Sequence, residues 1–258
     1  MTSNNSDNNG HEDALPAKIA IISDIHGNFQ ALTAVLEVID QLGIGDIFCL
    51  GDVVGYGAQP NECIDVLRKR DIPTLAGNHD HAAVGMTDIT FFNAVAKEAV
   101  HWTRENLSEE NLEWLRQRPY TFERDPSLLF VHASPNEPAE WNYVLTYGQA
   151  RASFEKFDQK ICFIGHSHQP AIVQRKGEEL FCPEGHEAKI DPDSQYLINV
   201  GSVGQPRDRN PAACFVYVDF IEEKIVFVRV DYEIAAAQGA IREQGLPEEL
   251  AERLGYGW

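Results

Sequence analysis

Cysteine is scarce in this chain, and its five residues, Cys49, Cys63, Cys162, Cys182 and Cys214, are odd in number. That excludes a framework of paired disulfides as the source of stability. Cys49 and Cys162 fall inside the apolar runs DIFCL and ICFI, where cysteine behaves as a small buried hydrophobe. The pattern predicts a reducing, cytoplasmic setting. Positive charge is also in short supply: 21 Lys and Arg stand against 40 Asp and Glu, a formal net charge of −19. Nucleic-acid backbones and anionic membranes are therefore not expected partners. A phosphorylated substrate is still compatible, provided that a bound cation supplies the local positive charge. Long apolar runs are missing, with nothing near the ~18 residues of a membrane helix. The polar opening MTSNNSDNNGHEDALPA has neither the basic nor the apolar region of a signal peptide. It is expected to form a disordered tail over residues 1–16.

What the chain does have is apolar material, 43% of its 258 residues, enough for one sizeable core. From Lys18 onward, short apolar runs alternate with helical spacing. KIAIISD reads as a strand, and NFQALTAVLEVIDQLG as a helix through Leu32, Val35, Leu36 and Ile39. DIFCLGD and IPTLAGNHD repeat the strand-then-polar pattern around a helix at PNECIDVLRKR. Helices are predicted over 93–106 and 108–117, the second opening on SEEN, a capping-box pattern. The second half is rich in strands: YTFER, SLLFVHA, KICFIGH, AIVQRK, QYLINVG, AACFVYVDF and KIVFVRVDY. Gly177 marks a hairpin turn, and helices over 234–244 and 247–254 follow. The expected class is α/β (α+β), with two packed sheets flanked by helices in a single domain over residues 17–258.

Five of the strand-like runs end in the same kinds of polar residue. The first delivers Asp24 and His26, the second Asp52, and the third Asn78, His79 and Asp80. SLLFV delivers His132, and ICFIG delivers His166 and His168. Ligands of α/β sheets collect outside the carboxyl ends of strands, so these groups are expected to meet at one edge. Two aspartates, one asparagine and four histidines form a mixed imidazole and carboxylate set, with His79 left over. Such sets suit Mn, Fe, Zn, Ni or Co more than Mg or Ca. Two ions sharing one aspartate would account for all seven ligands. Each piece alone is weak, but a chance explanation must place every piece at a strand end. His81 reads as a turn neighbour and His101 as a helix residue.

Asp24-x-His26, Gly51-Asp52, Gly77-Asn78-His79-Asp80, Val131-His132 and Gly165-His166-Ser167-His168 together resemble the five signature blocks of the calcineurin-like metallophosphoesterases. GSVGQPRD at 201–208 resembles a bacterial and archaeal branch of small phosphoesterases. The resemblance implies a four-layer αββα sandwich, two mixed β-sheets flanked by helices. It implies that Asp24, His26, Asp52 and His168 hold a first metal and that Asp52, Asn78, His132 and His166 hold a second. Manganese is the first expectation. His79 would act as the acid, with Asp80 orienting its ring, while a bridging water made acidic by the two ions attacks phosphorus.

The stretch Gly51-Asp52-Val53-Val54-Gly55-Tyr56-Gly57 departs from the GD-x-x-D-R-G of the family's protein phosphatases. The missing arginine disfavours a protein-phosphatase role. Arg207 is a candidate replacement contact to phosphate, unless it is a loop residue paired with Asp208. Asn78 and Tyr56 are further candidates for substrate contact. The segment 136–148, with Trp141, Tyr143 and Tyr147, could stack an aromatic leaving group. The function expected is hydrolysis of a small phosphodiester or nucleotide, a dinucleoside polyphosphate among them. The alternatives are a phosphomonoesterase or protein Ser/Thr phosphatase, and a non-catalytic binding scaffold on the same fold.

Overall fold

A computed structural model describes residues 16–258. The tail expected over 1–16 lies outside the described residues but for Pro16. The chain opens with β1 (Lys18–Ile22), α1 (Phe29–Gln41), β2 (Asp46–Cys49) and α2 (Pro60–Lys69). Helices α3 (Asn78–Ala83), α4 (Ala94–Asn106) and α5 (Glu109–Arg116) lead to the hairpin β3 (Thr121–Arg124) and β4 (Leu128–Val131). Then come α6 (Tyr147–Phe154), β5 (Ile161–Ile164), β6 (Ala171–Lys176), β7 (Glu179–Phe181), β8 (Glu187–Lys189) and β9 (Gln195–Asn199). The long strands β10 (Ala213–Asp219) and β11 (Lys224–Val230) precede α7 (Ile234–Glu243) and α8 (Glu248–Glu252).

One sheet has the order β2-β1-β10-β11-β8, the other β3-β4-β5-β9-β6-β7. Both are mixed: β1 runs parallel to β2, and β4, β5 and β9 run parallel to one another, while the remaining pairs are antiparallel. Alternation along the central strands builds the layers. Ile19 and Ile21 of β1 face Phe130 of β4 and Phe163 of β5 in the core between the sheets. Ala20 and Ile22 turn the other way, onto Leu32 and Val35 of α1 and Ile64 of α2. On the far side Leu129, Val131, Cys162 and Ile164 pack on Ala150 and Phe154 of α6. Helix, sheet, sheet and helix are the four layers expected.

Local structure differs from the sequence reading around the third strand-like run. The run IPTLAG forms a single bridge, Thr74 to Cys49, instead of a strand. Pro73 has no N–H to extend the ladder, and the Ala76 amide leaves β2 for the Pro119 carbonyl. The chain then enters α3 at Asn78, a short helix that the polar run NHDHAA did not announce. Helix α1 begins as its spacing predicts, with Asn28 Oδ1 accepting the Ala31 amide at 3.1 Å. The Asn28 side chain also donates to the Gly204 carbonyl at 2.9 Å, which ties this helix to the loop after β9.

Candidate metal centre

Parallel pairing puts the carboxyl ends of β1 and β2 on one edge, and those of β4, β5 and β9 on the facing edge. Backbone bonds then lock the polar loops together. The amides of Asp24 and His26 donate to the Gly51 and Asp52 carbonyls at 3.0 and 2.9 Å, and Gly165 donates to His132 at 2.7 Å. The His166 amide reaches across the sheets to Asp24 Oδ2 at 3.0 Å. The loops are forced into tight shapes. Asp24, His26, Asp52, Tyr56, His166 and His168 all have φ between 50° and 64°, left-handed backbone that costs about 1 kcal/mol or more per side-chain-bearing residue. Two glycines make the approach possible. A Cβ on Gly77 would collide with the Asp52 carboxylate, and one on Gly165 with Ser23 and Asp24.

The predicted residues meet. One ligand atom each from Asp24, His26, Asp52 and His168 lie within 4.8 Å of one another, and so do those of Asp52, His132 and His166, with Asp52 common to both groups. Asn78 Oδ1 adds a buried amide oxygen without a partner among the described residues. All of these residues are buried. His26, His132 and His168 each give Nδ1 to a backbone carbonyl, of Val54, Leu50 and Gln205, at 3.1, 3.1 and 2.6 Å. That bond fixes the tautomer and leaves Nε2 pointing inward.

Burial, ahead of neighbouring charges, holds the pKa of His26 well below its usual value and lowers that of His168, so both rings are neutral. Their bare Nε2 atoms face each other at 3.1 Å, and His168 Nε2 faces Asp24 Oδ1 at 3.2 Å. Lone pairs turned on lone pairs and on a carboxylate are a poor arrangement by themselves and a good one around a cation. The donor set therefore fits metal ions.

One charged imidazole, His132, partly offsets the two carboxylates of the cage. Burial pushes Asp52 up, but the His132 imidazolium beside it holds its carboxyl well below the usual range. Burial likewise opposes ionisation of Asp24, and the charge on His132 works against it. His132, 3.4 Å from Asp52 Oδ2, is raised to about 9, the carboxylates overcoming the burial that would lower it. His166 is pushed down to about 3 by burial and by His132.

His79 stands next to this cage without belonging to either donor group. Its amide donates to Asp52 Oδ1 at 2.8 Å, its ring lies 4.4 Å from that of Tyr56 and 5.1 Å from Phe92, and its Nδ1 is buried without a partner. Burial lowers its pKa to about 4. Asp80 departs from expectation. Its two oxygens accept the amides of Val54 and Gly77 at 3.1 and 3.0 Å, so the carboxylate braces the loops and does not orient the His79 ring. The start of α3 aims it at those amides. Burial and the Asp52 charge raise its pKa to about 7.

Around the mouth, Tyr56 packs on the His26 ring at 4.8 Å. Arg207 follows the loop that carries Gln205, its amide bonded to the His168 carbonyl at 3.2 Å. Asp208 pairs with Arg229, which leaves Arg207 free of the ion pair considered above. Of the aromatic segment, Tyr143 stacks on His166 at 4.0 Å and Trp141 meets His132 edge-on at 5.8 Å. Both line a cavity of about 360 Å3 with Asn78, His79 and Phe91. His81 is buried against Tyr120 and Trp141, while His101 lies exposed on α4. Sequence reasoning missed Gln205, whose carbonyl holds His168, although it lies within the flagged GSVGQPRD stretch. It also missed Arg253, near Tyr56, for which no motif gave a signal.

The chain is 41% identical over 252 residues to the uncharacterized protein MJ0912 of Methanocaldococcus jannaschii, covering 93% of this chain and 98% of that one. Among solved structures it resembles a metallophosphoesterase from Sphaerobacter thermophilus, with a TM-score of 0.82, 37% identity, and coverage of 95% and 100%. The hypothetical protein PH1004 from Pyrococcus horikoshii shares the fold at a TM-score of 0.76 and 23% identity, over 93% and 98% of the two chains. The model of the calcineurin-like phosphoesterase superfamily domain matches residues 17–223. With this match and the buried Asp and His cage at the strand ends, the chain belongs to the calcineurin-like phosphoesterase superfamily and is a metal-dependent phosphoester hydrolase.

Proposed function

We propose that the chain hydrolyses a small phosphodiester or nucleotide in the cytoplasm with two divalent transition-metal ions, manganese first among them. Asp24, His26, Asp52 and His168 would hold one ion, and Asp52, Asn78, His132 and His166 the other. The observation that carries this reading is the inward-facing set of acceptors lacking protons or partners, above all Nε2 of His26 against Nε2 of His168. The ions, when bound, supply Lewis-acid charge for the phosphate and acidify bound water.

The chain's own residues do the rest. Carbonyls of Val54, Leu50 and Gln205 keep three imidazoles in the tautomer that presents Nε2. Asp80 ties the loops of Val54 and Gly77 on either side of Asp52. His79 is the acid that donates to the leaving oxygen. An anionic phosphate beside its ring favours the imidazolium and counters the burial that keeps the ring neutral. Arg207 and Tyr56 border the phosphate position, and Tyr143 and Trp141 give an aromatic leaving group a face to stack on. The free state of all five cysteines supports a reducing compartment.

The test is metal-stripped protein reloaded separately with Mn, Fe, Co, Ni, Zn or Mg and assayed on bis(p-nitrophenyl) phosphate and p-nitrophenyl phosphate. Faster cleavage of the diester is expected. A strong monoester preference would replace this reading with a phosphomonoesterase. Absence of hydrolysis with every metal would leave a binding scaffold.

A further inference from the structure

The sequence is strongly acidic, and its arginines are mostly neutralised. Arg68, Arg70, Arg124, Arg175, Arg229 and Arg242 each reach a carboxylate. Two arginines beside the metal cage pair with no Asp or Glu side chain among the described residues. Arg207 gives Nη2 to the neutral Gln205 side chain at 2.8 Å and also meets the Tyr143 hydroxyl, and its Nε is buried with no partner among the described residues. Arg253, just past α8, gives Nε to the backbone oxygen of Trp258 at 2.6 Å, which leaves its terminal nitrogens for another acceptor. Both guanidinium carbons lie 5.9 Å from the centre of the Tyr56 ring, and that ring rests on His26 and His79. Burial and the Arg207 charge together lower the pKa of Arg253, so the two cations feel each other. Beside Arg253 opens a cavity of about 510 Å3 whose walls include Tyr56, Asn93, Leu250 and Trp258, with Glu249 and Glu252 on the same helix turn as Arg253.

Like charges held together over an aromatic face at the mouth of a phosphate-cleaving centre call for a polyanion between them. We infer that Arg207 and Arg253 form a subsite for a second phosphoryl group, joined to the one that is cleaved. The substrate class is then a molecule carrying at least two phosphates in succession, with its remaining organic part directed towards the Trp258 cavity. The proposal rests on the phosphoesterase reading for the first phosphate but assigns the second to residues outside the metal cage.

Calorimetric titration of metal-stripped protein with inorganic pyrophosphate and with orthophosphate tests the pair without turnover. Pyrophosphate is expected to bind about tenfold tighter, and R253Q to lose about that factor, the scale of one charge-assisted hydrogen bond. R253K, which keeps the cation, should recover most of the affinity. In the metal-loaded enzyme, the ratio of kcat/KM on ADP to that on bis(p-nitrophenyl) phosphate should fall about tenfold in R253Q. Equal affinity for the two anions overturns the proposal, as does R253Q binding like wild type. So does equal loss in R253K and R253Q with lowered melting midpoints, which would mark a structural role. If the diester is not cleaved with any metal, the phosphoesterase reading fails, and the pyrophosphate titration still decides the arginine pair.

Discussion

At the scale of single residues, His79 and the cage beside it are separable. Its side chain belongs to neither donor group, and its ring is held by Tyr56 and Phe92. His79→Ala is therefore expected to retain the metal content of wild type while kcat falls by ~10²–10⁴-fold, the usual share of a positioned proton donor. Elemental analysis of the purified variant and a steady-state assay check both halves. Loss of metal, or turnover like wild type, would remove His79 from the acid role. The sequence marked His79 as special because it was the histidine left over once the others were assigned to ions. Asp80 was legible as a neighbour and illegible in role. Whether its carboxylate meets the His79 ring or the Val54 and Gly77 amides depends on how α3 starts. Arg207 divides the same way, since the identity of Asp208's partner, Arg229, comes from a different strand and cannot be read locally.

Among the elements, the loops after β1, β2 and β5 work by close packing. Gly77 has an ordinary φ, yet the position of its missing Cβ is taken by Asp52. Gly77→Ala should displace that carboxylate, destabilise the fold by about 1–3 kcal/mol as overpacking does, and leave fewer ions bound after gel filtration. Gly45→Ala is the control, because a Cβ there meets nothing within 4 Å. Thermal melting with metal analysis reads the pair, and equal ion content in the two variants would show that the collision relaxes without moving Asp52. Central strands were legible because Ile19, Ile21, Phe130 and Phe163 alternate with residues facing the helices. Short elements were not. β8 is Glu-Ala-Lys with little apolar pattern, α3 is nearly all polar, and α6 hides behind the aromatic segment. Each takes its shape from partners distant in sequence, β8 from β11 and α3 from α4 and α5.

For the whole molecule, the cage makes stability depend on pH, with opposite signs on the two sides of neutrality. Burial lowers His79 to about 4 and His166 to about 3. The stabilisation from keeping these rings neutral is complete above the unfolded value of 6.5 and is lost as pH falls from 6.5 through about 4 for His79 and about 3 for His166. His132 and Asp80 act the other way, raised to about 9 and about 7. Their contributions are present at low pH and are lost as pH rises, for Asp80 between 3.8 and about 7 and for His132 between 6.5 and about 9. Below pH 6.5 the lowered histidines, with His26 and His168 among them, outnumber Asp80. Above 6.5 only losses remain in this group. Metal-stripped protein should therefore melt at its highest temperature near pH 6.5, with the midpoint down by about 5–10 °C at pH 9, the equivalent of roughly 3 kcal/mol for a chain of this size. A bound cation takes the place of the His132 proton as counter-charge to Asp52, so binding releases protons and strengthens as pH rises. Metal-loaded protein should keep its midpoint from pH 6.5 to 9. Differential scanning calorimetry of stripped and loaded samples across pH 5–9 checks both curves. A stripped midpoint that stays level or climbs above pH 6.5 would mean that His132 is not the proton-bearing partner of Asp52.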